Sequence, residues 1–207
     1  MEKYTLVNLI SSTNKFTQRI EKKFFIDHLS LERVEAEILK YGFNPIFKER
    51  IIKSLYYDTT DFKCYKASIE GVVPRKKYRI RSYDKKNSFQ LEIKSQQLDG
   101  RYKKTTPINE YPNKLFDKEY GMLEKKLFTE YKRKYFSNSY LRLTFDSEIK
   151  FEKLNRQKII FGNKFVIELK PLSEYSVQGQ QLAENLFNTP EVSFSKYEKA
   201  VERLFLK

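Results

Sequence analysis

The sequence predicts an α+β protein whose body is an eight-stranded antiparallel β-barrel, a tunnel with flanking helices. Three observations lead there. Segments of strand-like alternation follow one another through most of the chain, joined largely by hairpin turns, of which Asp99-Gly100 is the strongest. The same polar face recurs on at least six of these segments and is far richer in Arg and Lys than in carboxylates. Neither a GxGxxG fingerprint nor a P-loop lysine pattern is present, so a parallel nucleotide-binding sheet is not indicated. A charged face on antiparallel strands is either a wetted outer surface or the wall of an anion site. Closing the sheet puts one face inside, and the excess of cations favours that arrangement.

The stretch Lys76 to Lys94 carries the pattern most clearly. Lys77, Arg79 and Arg81 alternate with Tyr78, Ile80 and Ser82, a turn falls at Lys85-Lys86-Asn87-Ser88, and Glu92 and Lys94 alternate with Leu91 and Ile93. Successive strand residues point to opposite faces, so Lys77, Arg79, Arg81, Glu92 and Lys94 share one side. Tyr78 and Ile80 are then expected to pack outward against helices. The Asp99-Gly100 turn pairs Arg101 to Ile108 with Leu91 to Gln97.

The other elements follow in order. Residues 1–15 read as a loosely docked start, and Phe16 to Ile26 as a strand with Arg19, Glu21 and Lys23 on one face. Ser30 is a cap candidate for a helix to about Tyr41, with Leu31, Val34, Ile38 and Leu39 buried and Gly42 stopping it. Pro45 falls in a connection, Arg50 to Tyr57 is a strand, and Asp58-Thr59-Thr60 precedes a short helix from Asp61 to Glu70. Asn113 to Leu127 reads as a helical insert using Leu115, Phe116, Met122 and Leu123. Phe128 to Phe136, Tyr140 to Phe151 and Phe161 to Lys170 are strands, and helices run from about Gly179 to Phe187 and Lys196 to Phe205.

Composition bounds the partners. With 41 Lys and Arg against 27 Asp and Glu, the formal net charge is +14, which calls for an anionic partner. The 207 residues suffice for one domain, 1–207, with a real core. A single cysteine, Cys64, excludes an internal disulfide and suits a reducing compartment. No apolar run approaches the roughly 20 residues of a membrane span, and no signal-peptide segment is visible, so a cytoplasmic protein is expected. No nucleophilic triad is visible. His28, beside a helix start, reads as a surface or capping residue, Cys64 as a small helix hydrophobe, and Lys85-Lys86 and Lys125-Lys126 as solvated charges.

The strand motifs, taken together, resemble the catalytic domain of the vacuolar transporter chaperone (VTC) family, polyphosphate polymerases among the triphosphate tunnel metalloenzymes (CYTH-like). The resemblance runs from about Gln18 to Leu204. It rests on Arg19-Ile20-Glu21-Lys22-Lys23-Phe24, Ser54-Leu55-Tyr56-Tyr57-Asp58, Tyr78-Arg79-Ile80-Arg81-Ser82-Tyr83 and Leu91-Glu92-Ile93-Lys94. Tyr131-Lys132-Arg133, Leu141-Arg142-Leu143-Thr144-Phe145-Asp146, Val166-Ile167-Glu168-Leu169-Lys170 and Phe194-Ser195-Lys196-Tyr197 follow in the family's order.

What the resemblance implies is a tunnel that binds ATP phosphates and a growing polyphosphate chain. It implies catalytic roles for Arg79, Arg81, Lys94, Arg133 and Arg142, and substrate-binding roles for Lys23, Arg19, Lys103, Lys170 and Lys196. Strand parity leaves open whether Lys103 or Lys104 faces inward. Glu168 is implied as the ligand of Mn²⁺ or Mg²⁺, with Glu21 able to add to it; Asp146 and Glu148 share basic faces, and Glu92 is expected to brace cations. Arginine forks suit phosphate oxygens, and hard cations take carboxylates while keeping several waters. Alternatives are a tripolyphosphate or nucleoside triphosphate hydrolase and a polyphosphate-binding module without turnover. Hydrolytic members open with two alternating glutamates, whereas the first such position here is Arg19. Nucleic acid is not expected as a partner, because these charges are predicted to face inward. The phosphate-sensing and membrane-spanning domains of the larger eukaryotic members are not seen, so the chain is similar to stand-alone prokaryotic versions, and membrane association would need a partner protein.

Overall fold

Alternation in the strands decides which side chains meet, and the resulting sheet carries a charged face and an apolar one. The structure, a computed structural model, describes residues 5–6, 21–84, 88–171, 176–187 and 189–206. The expected loose start and Arg19 lie outside these residues, apart from β1 (Thr5–Leu6), which pairs in parallel with Leu115 and Phe116. The turn at 85–87 also lies outside them.

β2 (Lys22–Ile26) leads into α1 (His28–Lys40). The cap is Asp27, whose carboxylate accepts the Ser30 N–H at 2.8 Å, so Ser30 is the donor and not the cap. Val34 and Ile38 are buried on the helix stripe, while Leu39, one residue off it, is 56% exposed. β3 (Asn44–Asp58) begins earlier than expected and contains Pro45; register shifts on both sides of Phe47 absorb the missing N–H. α2 (Lys63–Ile69) is shorter than the predicted helix. The Asp58 carboxylate accepts the N–H groups of Thr59, Cys64 and Tyr65, which fixes the turn into it.

β4 (Arg75–Tyr83), β5 (Phe89–Gln97) and β6 (Gly100–Ile108) form the expected meander, with Arg79 opposite Glu92 and Lys94 opposite Lys103. The predicted helix at 113–127 is instead a hairpin of β7 (Lys114–Asp117) and β8 (Gly121–Ser137). Its turn is built by Asp117, which accepts the N–H groups of Glu119 and Tyr120, and by Gly121 at φ +76°. Those turn residues outweigh the helix-like spacing of the apolar ones. β9 (Leu141–Lys153) pairs with β8. The predicted strand at 161–170 begins later, as β11 (Phe165–Pro171), because Gly162 at φ +77° turns the chain after β10 (Lys158–Ile160), a short strand that the sequence does not predict. α3 (Ser176–Leu186) and α4 (Lys196–Phe205) follow, α4 capped by Ser195.

Eight strands run in the order β2-β11-β9-β8-β3-β4-β5-β6, with β1, β7 and β10 attached at the side. Neighbours on this path pair antiparallel. The sheet is not the closed barrel that the sequence predicts: among the described residues no pairing joins β2 to β6. The Val192 N–H donates to the Lys23 carbonyl at 2.8 Å, so the segment before α4 takes up the free edge of β2.

Three apolar clusters hold the sheet. Phe24, Ile167, Leu143 and Phe145 pack on one face against Val34 and Ile38 of α1 and Leu182 and Leu186 of α3. Further along that face Tyr78 and Ile80, expected to point away from the charged face, are buried with Leu55 and Leu91 under Cys64 of α2 and Leu115 and Leu123 of the β7–β8 hairpin. On the opposite, charged face α4 seats Tyr197, Ala200, Val201 and Leu204 on Ile52, Tyr131, Ile149 and Phe151. Burying each such side chain contributes roughly 1.5–3 kcal/mol. Among the described residues no helix is long and apolar enough to cross a membrane.

Candidate functional site

The charged face divides into two walls. The first is built by β3 to β6, whose register places residues in rows: Lys77, Lys94 and Lys103 in one, Tyr56, Arg79, Glu92 and Thr105 in the next, Ser54, Arg81 and Gln90 in a third. Glu92, with no exposed surface, organises this wall. It accepts from Arg79 Nε at 2.6 Å and Lys103 Nζ at 2.5 Å, and Arg81 lies 3.6 Å away. Burial alone would raise the Glu92 carboxyl, but Arg79, Arg81 and Lys103 outweigh it and hold the group well below the carboxylate range. This is the bracing role expected of it. Arg79 also donates to the Tyr56 hydroxyl at 3.3 Å and Arg81 to the Tyr131 hydroxyl at 3.1 Å, fixing both guanidiniums along the wall. Burial works against ionisation of Tyr56, yet Arg79, Arg81 and Lys196 together shift its phenol down.

The second wall comes from β2, β11, β9 and β8. Glu168 lies opposite Lys23 on one side and Thr144 on the other. Its carboxylate pairs with Lys170 and stands 3.5 Å from Arg133. Burial would raise it, and Lys170, a hydrogen bond with Glu21, Arg133 and Lys23 drive it well down instead. Arg133 grips Asp146 with both arms, at 2.5 and 2.7 Å, and Lys196 from the first turn of α4 donates to the same carboxylate at 2.5 Å. Lys23 donates to the Phe194 carbonyl at 2.8 Å and lies 3.4 Å from Glu21.

The two walls face each other across the curved sheet. Lys94, on β5, feels Glu21 and Glu168 from the opposite flank, together with Arg79 and Lys170. Among the described residues no hydrogen bond or ion pair ends on its ammonium. Burial first, then Arg79, pushes Lys94 well below the ordinary lysine range.

Of the sequence-predicted residues, Arg79, Arg81, Lys94 and Lys103 stand on one wall and Lys23, Arg133, Lys170, Lys196, Glu168 and Glu21 on the other. Lys103, not Lys104, faces inward: Lys104 is opposite Ile93 on the covered face. Arg142 shares the parity of Thr144 but is exposed at the end of β9, its guanidinium 5.6 Å from the Tyr135 ring. Glu148 leaves the face. It sits at φ +49°, beside the register shift between β8 and β9, and pairs outside with Lys132 at 2.5 Å. Lys126 is not a solvated charge: it is buried, donates to the Thr60 carbonyl and lies 4.6 Å over the Phe62 ring. Sequence reasoning missed Tyr56 and Tyr131, whose hydroxyls hold the arginines. The signal was their even spacing with Ser54 and Arg133, which puts their hydroxyls on the charged face.

A divalent cation fits the Glu168 corner on its donor chemistry. Glu168 and Glu21 adjoin there, and the neighbouring Thr144 hydroxyl is a buried oxygen with no hydrogen-bond partner among the described residues. All are hard oxygen donors. No group of three or more His, Cys, Asp or Glu converges among the described residues, so substrate phosphates and water would supply the remaining ligands.

Comparison with known proteins places this geometry. The VTC domain matches residues 18–205. Among solved structures the chain is similar to the PH1819 protein from Pyrococcus horikoshii, at 17% identity and a TM-score of 0.57, covering 89% of this chain and 99% of that one. It is also similar to a putative adenylate cyclase from Vibrio parahaemolyticus, at 13% identity and a TM-score of 0.56, covering 90% and 98%. A putative adenylyl cyclase from Hippeastrum, described as having a dominant triphosphatase activity, aligns at 18% identity and a TM-score of 0.51, covering 89% and 95%. At these identities what is shared is the fold. No curated protein matches the chain.

Proposed function

Because the chain belongs to the VTC domain family, we propose that it is a polyphosphate polymerase-like phosphotransferase, moving the γ-phosphate of ATP onto a growing polyphosphate chain. The observation that carries this reading is the convergence of cations from both walls, Arg79, Arg81, Lys94 and Lys103 against Lys23, Arg133, Lys170 and Lys196, on one face where they outnumber the carboxylates Glu21, Glu92, Asp146 and Glu168. Phosphoryl transfer is largely a matter of positioning and charge neutralisation. Arg79, Arg81 and Arg133 are preorganised by Glu92, Tyr56, Tyr131 and Asp146, so a phosphate meets forks already aimed. Lys94, with no direct counter-ion among the described residues, is the cation whose charge a phosphate would complete. Arg142 at the rim and Lys23, Lys103, Lys170 and Lys196 along the walls are assigned to the chain of phosphates. Mn²⁺ or Mg²⁺ held at Glu168 and Glu21 would supply further charge neutralisation on the transferred group.

Incubating the purified protein with ATP and Mn²⁺ is expected to yield long acid-labile phosphate chains. Release of inorganic phosphate or pyrophosphate alone would overturn the polymerase reading and support the hydrolytic one, which the triphosphatase described for the Hippeastrum relative favours. Glu168→Ala separates an enzyme from a binding module. An enzyme loses metal-dependent turnover; a module without turnover has none to lose and keeps its polyphosphate affinity.

A further inference from the structure

Beyond Arg81 and Arg133 the charged face ends in an aromatic rim of Phe47, Tyr83 and Tyr135, to which the phosphate reading gives no role of its own. Phe47 and Tyr135 are register partners there, their rings edge to face at 5.4 Å. The Arg50 guanidinium lies 4.5 Å over Phe47 and 5.9 Å from Tyr83, and Arg142 lies 5.6 Å from Tyr135. Phe47 is nevertheless 44% exposed, with Arg50 on one side and Tyr135 at its edge.

Two features separate this rim from a scattered surface aromatic. First, its guanidiniums differ from those deeper in the site. Arg79, Arg81 and Arg133 each meet a carboxylate, whereas among the described residues neither Arg50 nor Arg142 has an ion pair or hydrogen bond. Second, it is continuous with the phosphate wall. Arg50 is the register partner of Arg133, and the Arg133 guanidinium is 5.9 Å from the same Tyr135 ring that Phe47 abuts. The rim is also held in place. The Ile51 N–H donates to the Asp84 carboxylate at 3.0 Å and the Asp84 N–H to the Ile51 carbonyl at 2.8 Å, locking β3 beside the end of β4. A flat exposed ring backed by a cation, next to a row of phosphate-seeking arginines, matches a planar heterocycle carried on a phosphate chain. Every base offers a π-face, so such a shelf tolerates different bases.

We propose that Phe47, backed by Arg50, is the platform on which the base of a nucleoside triphosphate stacks, with the phosphates running from there past Arg133 and Arg81. This deepens the reading of the charged face as a phosphate site and rests on it. The inference makes the donor a nucleotide and places its base at the β3 end of the sheet.

The test compares ATP with inorganic tripolyphosphate by calorimetry on the wild type, Phe47→Ala and Phe47→Trp. Phe47→Ala is expected to bind ATP roughly ten- to a hundredfold more weakly while holding tripolyphosphate within about twofold of the wild type, and Phe47→Trp to retain ATP affinity. Unchanged ATP affinity in Phe47→Ala, or equal losses for both ligands, would overturn the platform. Failure of the wild type to bind tripolyphosphate would instead overturn the phosphate reading beneath it.

Discussion

Lys94 lies between two register partners that are themselves lysines, Lys77 and Lys103, yet each of those has a carboxylate, Glu198 and Glu92, and Lys94 has none within reach among the described residues. Its ammonium is held below the ordinary value of 10.5 by burial and by Arg79. A phosphate beside it restores the missing counter-charge and raises that value, so binding must take up a proton at any pH between the depressed value and the restored one. Affinity should fall as pH rises through this window, because the free protein then has to recharge the amine. Calorimetry of tripolyphosphate binding in buffers of different ionisation enthalpy, at a series of pH values below the ordinary lysine value of 10.5, measures the uptake. Lys94→Gln should lower it, leaving what Lys103 and the ligand's own phosphates contribute, and equal uptake in both proteins would assign it elsewhere. The inward direction of Lys94 is legible from strand parity. Its isolation is not, because it depends on which neighbours already spend their carboxylates. Phe47 was hidden for a related reason: the register shifts on both sides of it break the alternation that would have placed it on the charged face with Arg50.

α4 is the element that turns a sheet face into a site. Its apolar stripe seats on Tyr131 and Ile149, its first turn sends Lys196 to Asp146 and Glu198 to Lys77, and Tyr197 stacks on Tyr56 at 4.8 Å while its hydroxyl donates to Asp58 at 2.5 Å. Ala200, fully buried beneath it, leaves no room for a larger residue. Ala200→Leu should cost about 1–3 kcal/mol by overpacking and weaken polyphosphate binding as Lys196 is lifted from Asp146. Urea denaturation and binding isotherms report the two effects separately, and lost stability with unchanged binding would mean that α4 covers the face without shaping it. The helix itself was legible from its apolar spacing. The segment at 113–127 was misread on the same kind of spacing, since two apolar pairs suit a helix or a hairpin until Asp117 and Gly121 are weighed as turn residues.

Among the described residues most of the buried charge, Arg81, Glu92, Arg133, Asp146 and Glu168, lies on one face of the sheet, and that sets the molecule's behaviour in acid. Glu92, Asp146 and Glu168 are all shifted below their ordinary values of 4.5, 3.8 and 4.5, in each case by neighbouring cations that overcome burial. For depressed carboxylates the stabilisation is complete above the unfolded value and is lost as pH falls toward the folded one. The thermal midpoint should therefore drop steeply from about pH 5 to about pH 3, and less steeply in Glu92→Gln, which starts from a lower midpoint. A midpoint flat across that range would show that the cluster contributes nothing net to folding. At this scale the strand set and the charged face were readable from alternation, while closure was not. Whether β2 meets β6 depends on the Val192 N–H reaching the Lys23 carbonyl, a contact between segments far apart in sequence.

That unjoined flank has a topological meaning for a polymeric ligand. A sealed ring admits a long chain only by threading from a free end. A sheet in which no pairing joins β2 to β6 among the described residues can be loaded sideways at any point along the ligand, so capture would scale with the ligand's length and not with its number of ends.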